Sequence, residues 1–296
     1  MLRSDQPLAL AFSEHKVARE GGNIYARHYS GSGPAFVLMH GFPDNLHIYD
    51  ELVLHLISAG RRVVTFDFLG FGASDKRDDA IYSFQQQLGD LHAVVDALQL
   101  DRIIPVAHDA AGPAAINFAL QYPAKVHSLC LLNTLFGATP AARLPELIQL
   151  FALPSLSALA AEIIQSPVQM GFLLNFQFGK FQDSLSERHQ AHSGAVLSPI
   201  VMNSFTQQPS SARAFAHMTA DLFAEIGRNT ERLDELQQLK MPVTIVWGEN
   251  DPCLTSGMAH DFQQHLPHAS LSLVSAGHWP MIDEPQTVAA KLLAGA

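Results

Sequence analysis

The chain is poor in three things, and each scarcity excludes a class of protein. It has two cysteines, Cys130 and Cys253, in 296 residues. That is too few for a disulfide framework and suits a reducing compartment. Cations are scarce beside anions: 18 Lys and Arg face 28 Asp and Glu, a formal charge of −10. This balance argues against a nucleic-acid or anionic-membrane partner, because both select a basic face. Long apolar runs are missing too. Residues 1–15 hold only a brief apolar patch, too short for the h-region of a signal peptide. The most apolar stretch, 144–164, is interrupted by Pro145, Glu146, Pro154 and Glu162, so it is not read as a membrane span. The expectation is a cytoplasmic protein of one large domain or two modest ones, long enough to bury a core without staples.

What is present is an alternation. Short, continuous apolar runs at 35–39, 62–66, 102–107, 126–132, 243–247 and 270–274 read as buried strands. Amphipathic stretches at 46–59, 83–99, 113–121, 256–265 and 285–293 read as helices. Continuous rather than alternating apolar strands indicate a sheet covered on both faces, hence a mostly parallel α/β architecture. Residues 9–18 and 24–28 suggest a hairpin around the glycine pair Gly21-Gly22. From 135 to 229 the strand signal stops. Only helix-like segments punctuated by prolines remain, which reads as a separate helical layer.

Five motifs sit at the ends of the predicted strands. Ala107-His108-Asp109-Ala110-Ala111-Gly112 has the small-residue spacing of a nucleophile elbow, a strand-to-helix turn too tight for bulky neighbours. Taken alone, Asp109 is as readily an N-cap aspartate. His40-Gly41-Phe42-Pro43-Asp44 would set the Phe42 N–H opposite that of Ala110, two donors converging on one oxygen; otherwise it is a plain glycine–proline turn. Asp67 to Asp75 lacks the spacing of a dinucleotide or phosphate loop and reads as a structural turn. Asp251, in Gly248-Glu249-Asn250-Asp251-Pro252, and His278, in Ala276-Gly277-His278-Trp279-Pro280, each follow a strand, where open α/β sheets bind ligands. The order Asp109, Asp251, His278 is that of nucleophile, acid and base in one particular fold.

With these motifs the chain resembles an α/β-hydrolase over 1–134 and 230–296, a discontinuous core, with 135–229 in the place of that family's helical cap. The aspartate in the elbow, the pair His108-Asp109 and the segment 40–47 are similar to the epoxide hydrolases and the haloalkane and fluoroacetate dehalogenases. The resemblance implies a mostly parallel sheet flanked by helices with an inserted helical cap. It also implies Asp109 as nucleophile, Asp251 and His278 completing a triad, and Phe42 and Ala110 as an oxyanion hole. The reaction implied is hydrolysis of an epoxide or a carbon–halogen bond in a small neutral hydrophobic substrate, with water as co-substrate, no cofactor and no metal. A homodimer is left open.

The chemistry behind the aspartate is direct. A carboxylate attacking saturated carbon leaves an alkyl ester whose carbonyl belongs to the enzyme, so water can cleave it; a serine would leave an inert ether. Asp109 is expected to be anionic, favoured further by its helix N-terminus. The pattern departs from the branch at the leaving group. None of the five tyrosines lies within 135–229, Ala110 stands where a dehalogenase has tryptophan, and Phe42 where it often has asparagine. Epoxide is placed slightly ahead on that account. Substitute contacts are expected from His189, His192 and His217 in the insertion and from Asn45, His47 and Asn133 in the core. Other readings are a haloalkane dehalogenase proper, an esterase-type hydrolase, or a ligand-binding homologue without turnover.

Overall fold

The computed structural model describes residues 11–296. Eight strands make one sheet: β1 Ser13–Arg19, β2 Gly22–Tyr29, β3 Ser32–Met39, β4 Arg61–Phe66, β5 Ile103–Asp109, β6 Leu129–Thr134, β7 Val243–Gly248 and β8 Ser270–Val274. Their order is β1-β2-β4-β3-β5-β6-β7-β8. The hairpin of β1 and β2 runs antiparallel at one edge, and β4 to β8 with β3 form the parallel body. Positions 9 and 10 of the expected first strand lie outside the described residues.

The central strands β3 to β7 are covered on both faces, which is why they read as unbroken apolar runs; β8, expected as a buried strand, is instead an edge strand with Ser270 and Leu273 exposed, because it has a neighbour on one side only. In β3, Phe36 and Leu38 point into one core cluster, and Val37 and Met39 into the other. The first cluster is closed by the helices Asp50–Ser58 and Pro285–Ala294, the second by Phe84–Ala97 and Gly112–Gln121. Several strand ends differ from expectation, β3 starting at Ser32 among them, and two have a clear cause in the pairing. β5 continues to Asp109, because its ladder with β6 carries on after a register shift to pair Asp109 with Thr134. β6 begins at Leu129, since Val126 makes only an isolated bridge to Ile103.

Between β6 and β7 the chain builds five α-helices: Glu146–Ala152, Ser157–Ile164, Pro167–Gln182, Glu187–Thr206 and Ala212–Thr230. They cover the carboxyl edge of the parallel strands. The seam is aromatic: Phe215 packs edge-on against Phe42 of the core at 5.8 Å, and against Phe151 and Phe205 at 5.2 and 5.3 Å. The stretch 144–164 is two helical segments meeting at 86°, and among the described residues no single helix is long and apolar enough to cross a membrane.

Candidate active site

The ends of β3, β5, β7 and β8 converge on one carboxylate. Asp109 closes β5 with φ of +50°, a left-handed conformation unfavourable for a residue with a Cβ and typical of strained functional turns. Sterics dictate its neighbours. A Cβ at Gly41 would lie 2.6 Å from Asp109 Cβ, and one at Gly112 would strike the Thr134 hydroxyl and the Leu135 carbonyl. The Thr134 hydroxyl in turn donates to the Asp109 carbonyl. Small residues are therefore required on both sides of the turn.

The two oxygens of Asp109 have different surroundings. The Phe42 N–H donates to Oδ2 at 3.3 Å, and the Ala110 N–H also bonds this carboxylate. Oδ1 lies 3.8 Å from His278 Nε2. Burial raises the pKa of Asp109 above the ordinary carboxylate value, and the His278 charge and the two amides offset only part of that. The helix terminus was expected to favour the charged form further; desolvation acts against it and is the larger effect.

His278 donates through Nδ1 to Asp251 Oδ2 at 2.7 Å. Asp251 is buried, and its carboxylate is fully engaged. Oδ1 accepts the N–H groups of Cys253 and Leu254 at 2.9 and 3.0 Å, and Oδ2 accepts Asn133 Nδ2 at 2.9 Å. Asn133 is itself tied to β7, accepting the Gly248 N–H at 2.7 Å. Burial alone would lower the pKa of His278, but the carboxylates of Asp251, Asp109 and Asp44 outweigh it and hold the imidazole at about 9. His108 Nε2 donates to the His278 carbonyl at 2.8 Å, so this buried histidine steadies the loop. Asp44, pushed by burial up to about 6, accepts the Trp279 indole N–H at 2.9 Å. Asp67 caps its own turn, accepting the Leu46 and Ala73 N–H groups, each at 2.7 Å.

A cavity of about 340 Å³ opens onto Asp109, Phe42 and His278 and runs under the inserted helices. Its walls are mostly carbon, Leu147, Leu174, Phe178, Phe181 and Leu222 among them, with Thr139, Arg143 and Gln177 as polar members. None of the six substitute contacts expected from the sequence lines it. Asn45 and His47 face a separate polar hollow, where the Asn45 side chain accepts the His47 N–H. Asn133 stands behind Asp251. His189 pairs with Glu284 at 3.3 Å and is buried in the seam rather than at the surface. His192 pairs with Glu51 at 2.9 Å, and His217 stacks near Tyr82 at 6.0 Å. His189, His192 and His217 have suitable chemistry, but the orientation of their helices points them elsewhere.

Gln177 is a buried polar wall residue that the sequence reading missed, as it missed Thr139 and Arg143. It is 5% exposed, it lines the cavity, and its Oε1 accepts the Leu147 N–H at 3.0 Å. Its Nε2 has no hydrogen-bond partner. A signal existed: Met170, Leu174, Gln177 and Phe181 form the buried stripe of the helix Pro167–Gln182, so an amide occupies a position patterned for an apolar side chain.

Known proteins bear on this geometry. A decarboxylase of cis-3-alkyl-4-alkyloxetan-2-ones from Shewanella oneidensis is 27% identical, aligned over 94% of this chain and 86% of that protein. Epoxide hydrolase 3 of Xenopus tropicalis is also 27% identical, over 94% of this chain and 76% of its own. A haloalkane dehalogenase structure from Bradyrhizobium elkani superposes with a TM-score of 0.73 at 20% identity, covering 96% of this chain and 98% of that one. The family model for the alpha/beta hydrolase fold matches residues 34–285. With the sheet order, the strand-end site and this match together, the chain is a hydrolase belonging to the α/β hydrolase fold family.

Proposed function

We propose that this hydrolase acts on saturated carbon through a covalent alkyl ester of Asp109, with an epoxide or a carbon–halogen compound of hydrophobic character as substrate. The observation that carries the reading is the split environment of the Asp109 carboxylate. Oδ1, 3.8 Å from His278 Nε2, attacks; Oδ2 already accepts the Phe42 N–H, and the Ala110 N–H bonds the same carboxylate. After attack Oδ2 becomes the ester carbonyl oxygen, and when water adds it becomes the oxyanion, without leaving its donors. An aspartate nucleophile thus comes with its oxyanion site preloaded.

His278 supplies the second step, taking a proton from the water that attacks the ester carbonyl. Asp251 holds the imidazole in the tautomer that leaves Nε2 toward that water. In the free protein three carboxylates keep His278 protonated well above neutrality. Esterification neutralises Asp109, removing one of the charges that raises its pKa, so the imidazole becomes more basic-competent, as a neutral group, when a base is needed. The apolar walls of the cavity and the similarity to proteins named for epoxides and haloalkanes support the substrate class.

The test is adduct trapping. In His278→Gln, incubation with epoxides and alkyl halides should give a stable mass increase localised to Asp109, while the wild type turns the same compounds over. A folded variant that labels with no compound, beside an active wild type, would overturn the ester route.

A second reading has its own support in the likeness to the oxetan-2-one decarboxylase across nearly the whole chain. A four-membered lactone attacked by Asp109 at the ring carbon bearing oxygen would open with its own carboxylate as leaving group. Loss of CO2 would then send the carbon–carbon bonding pair into an alkene and expel Asp109 unchanged. That route consumes no water, so it predicts alkene and CO2 as products and turnover that survives His278→Gln.

A further inference from the structure

Two loops meet above Asp109 that the sheet itself does not join. The segment after β3 carries the Phe42 amide and the segment after β8 carries His278, yet β5, β6 and β7 lie between these strands. One side-chain bond spans them. Asp44, two residues beyond Phe42, accepts the indole N–H of Trp279, the neighbour of His278, at 2.9 Å. The indole stands edge-on to the imidazole, with ring centroids 4.5 Å apart. Phe181 of the helix Pro167–Gln182 packs on both rings, at 5.0 and 5.1 Å. His108, beside Asp109 on β5, donates to the His278 carbonyl at 2.8 Å, and its other nitrogen is 4.0 Å from Asp44 Oδ2. Asp44 is buried, and among the described residues the indole N–H is the one hydrogen bond its carboxylate accepts. A carboxylate taken out of water with a single donor is a poor stabiliser, and an apolar side chain of similar size often serves the fold as well. What it holds and what it faces give it a use.

Resting on the alkyl-ester reading, we infer that Asp44 is a positioning residue for hydrolysis of that ester, tying the His278 loop to the oxyanion amide through Trp279 and setting a negative charge beside the imidazole. The two steps make different demands. Attack on the substrate uses Asp109, whose turn is already fixed by Gly41, Gly112 and Thr134. Hydrolysis needs three groups aligned on one carbonyl: the Phe42 amide at Oδ2, a water, and His278 Nε2. The water oxygen bonds to the carbonyl carbon and passes one proton to Nε2. The bond from that carbon to the alkyl oxygen then breaks, its electron pair and the proton on Nε2 leave as the alcohol, and Asp109 returns as an acid that loses its remaining proton to solvent. An amide and a base on separate loops keep this alignment when the loops are joined. The charge acts in the same step. His278 is faced by Asp251 from the end of β7, by Asp109 and by Asp44. It is also faced by His108, which burial keeps neutral, and by the rings of Trp279 and Phe181. Esterification silences Asp109. Asp44, whose pKa of about 6 leaves it anionic at neutral pH, is then one of two carboxylates favouring the imidazolium that forms when the water gives up its proton.

The experiment times the two steps separately. Wild type and variants are mixed with hexyl bromide or the terminal epoxide of hexane, quenched and weighed by mass spectrometry, which gives the rates of formation and decay of the Asp109 ester as a function of pH. Asp44→Leu and Trp279→Phe should each slow decay roughly tenfold more than formation. Both remove the same bond, so the double variant should be slowed far less than the product of the two. Asp44→Asn keeps an acceptor for the indole and should restore most of the decay rate lost in Asp44→Leu. Its missing charge lowers the pKa of His278, so its decay should reach half-maximum at a more acidic pH than in wild type, by about half a unit. Equal slowing of formation and decay, or single effects that multiply in the double variant, would overturn the proposal, because a general packing defect gives either. An unshifted pH midpoint in Asp44→Asn would overturn it too. Should Asp44→Leu fail to fold, Trp279→Phe still reads the bond and Asp44→Asn the charge. If no ester is caught in wild type or in His278→Gln while product still forms, the ester reading itself has failed, a result distinct from an ester whose decay ignores Asp44.

Discussion

The strand ends and the inserted helices face each other across one cavity and are built on opposite principles. On the strand side Asp251 holds four hydrogen bonds, Asn133 bridges two strands, and the turn at Asp109 admits no larger neighbour. On the helical side the wall is mostly hydrocarbon, and the Gln177 side chain is buried within it. Bond making needs atoms fixed to fractions of an ångström, which short loops on a rigid sheet provide. Choosing a substrate needs room and shape, which helices packed through Leu and Phe side chains provide.

The comparison predicts a steep gradient of mutational effect. Asp251→Asn should lower turnover by about 10⁴-fold, through the wrong imidazole tautomer. Leu222→Phe in the wall should instead redistribute activity among substrates by no more than roughly 10–200-fold. Steady-state kinetics on a chain-length series decides it, and a wall substitution as damaging as the strand-end one would erase the distinction. Next in size is the seam. Phe215→Ala removes the ring shared by Phe42, Phe151 and Phe205 and should cost about 3–5 kcal/mol in urea denaturation. A separate early transition for the helices would show that the seam couples two units that otherwise melt apart.

Smaller still, Asn133→Ala leaves the Gly248 N–H without its partner and strips one donor from Asp251, a loss of about 1–3 kcal/mol. Activity should fall in step with a disturbed His278 signal by NMR; an unmoved signal would mean that Asn133 serves the sheet alone. Last comes pH. The folded-state pKa of His278 is raised from 6.5 to about 9, so its charge pairing stabilises the fold fully below pH 6.5 and is lost as pH rises through about 9. The melting temperature should fall over that window more in wild type than in His278→Gln. In Asp109→Asn the imidazole should titrate lower, because one of its anions is gone.

The same contrast explains what could be read from the chain. The strand-end motifs were legible because the nucleophile elbow, with its small residues from Ala107 to Gly112 around Asp109, is a tight turn written in adjacent residues. Strand limits were less so. The extension of β5 to Asp109 depends on its pairing with Thr134, and the late start of β6 on a bridge to Ile103, neither of which is local. The wall residues were misread for a related reason. His189, His192 and His217 have suitable chemistry, but which side of a helix meets the cavity is settled by packing against a sheet far away in sequence. Gln177 carries no charge and no motif, and only its place on an apolar stripe betrays it.

The attachment of the insertion has a consequence for how such a protein can change. The chain leaves β6 at Thr134 and re-enters β7 at Val243, and these strands are hydrogen-bonded neighbours, Leu129 opposite Val243. The two junctions are therefore fixed to adjacent parallel strands but at opposite ends of the ladder, since Thr134 lies beyond the residue that faces Val243, a separation of roughly 17 Å along the strand. Closing a flexible loop between fixed ends grows only logarithmically with its length, about 0.6 kcal/mol per doubling. The sheet thus meets almost the same entropic demand whatever is hung between those two points. Helices there can be lengthened, shortened or exchanged while the register of the strands, and with it the position of Asp109, stays put. Selectivity can drift through the insertion while the chemistry stands still.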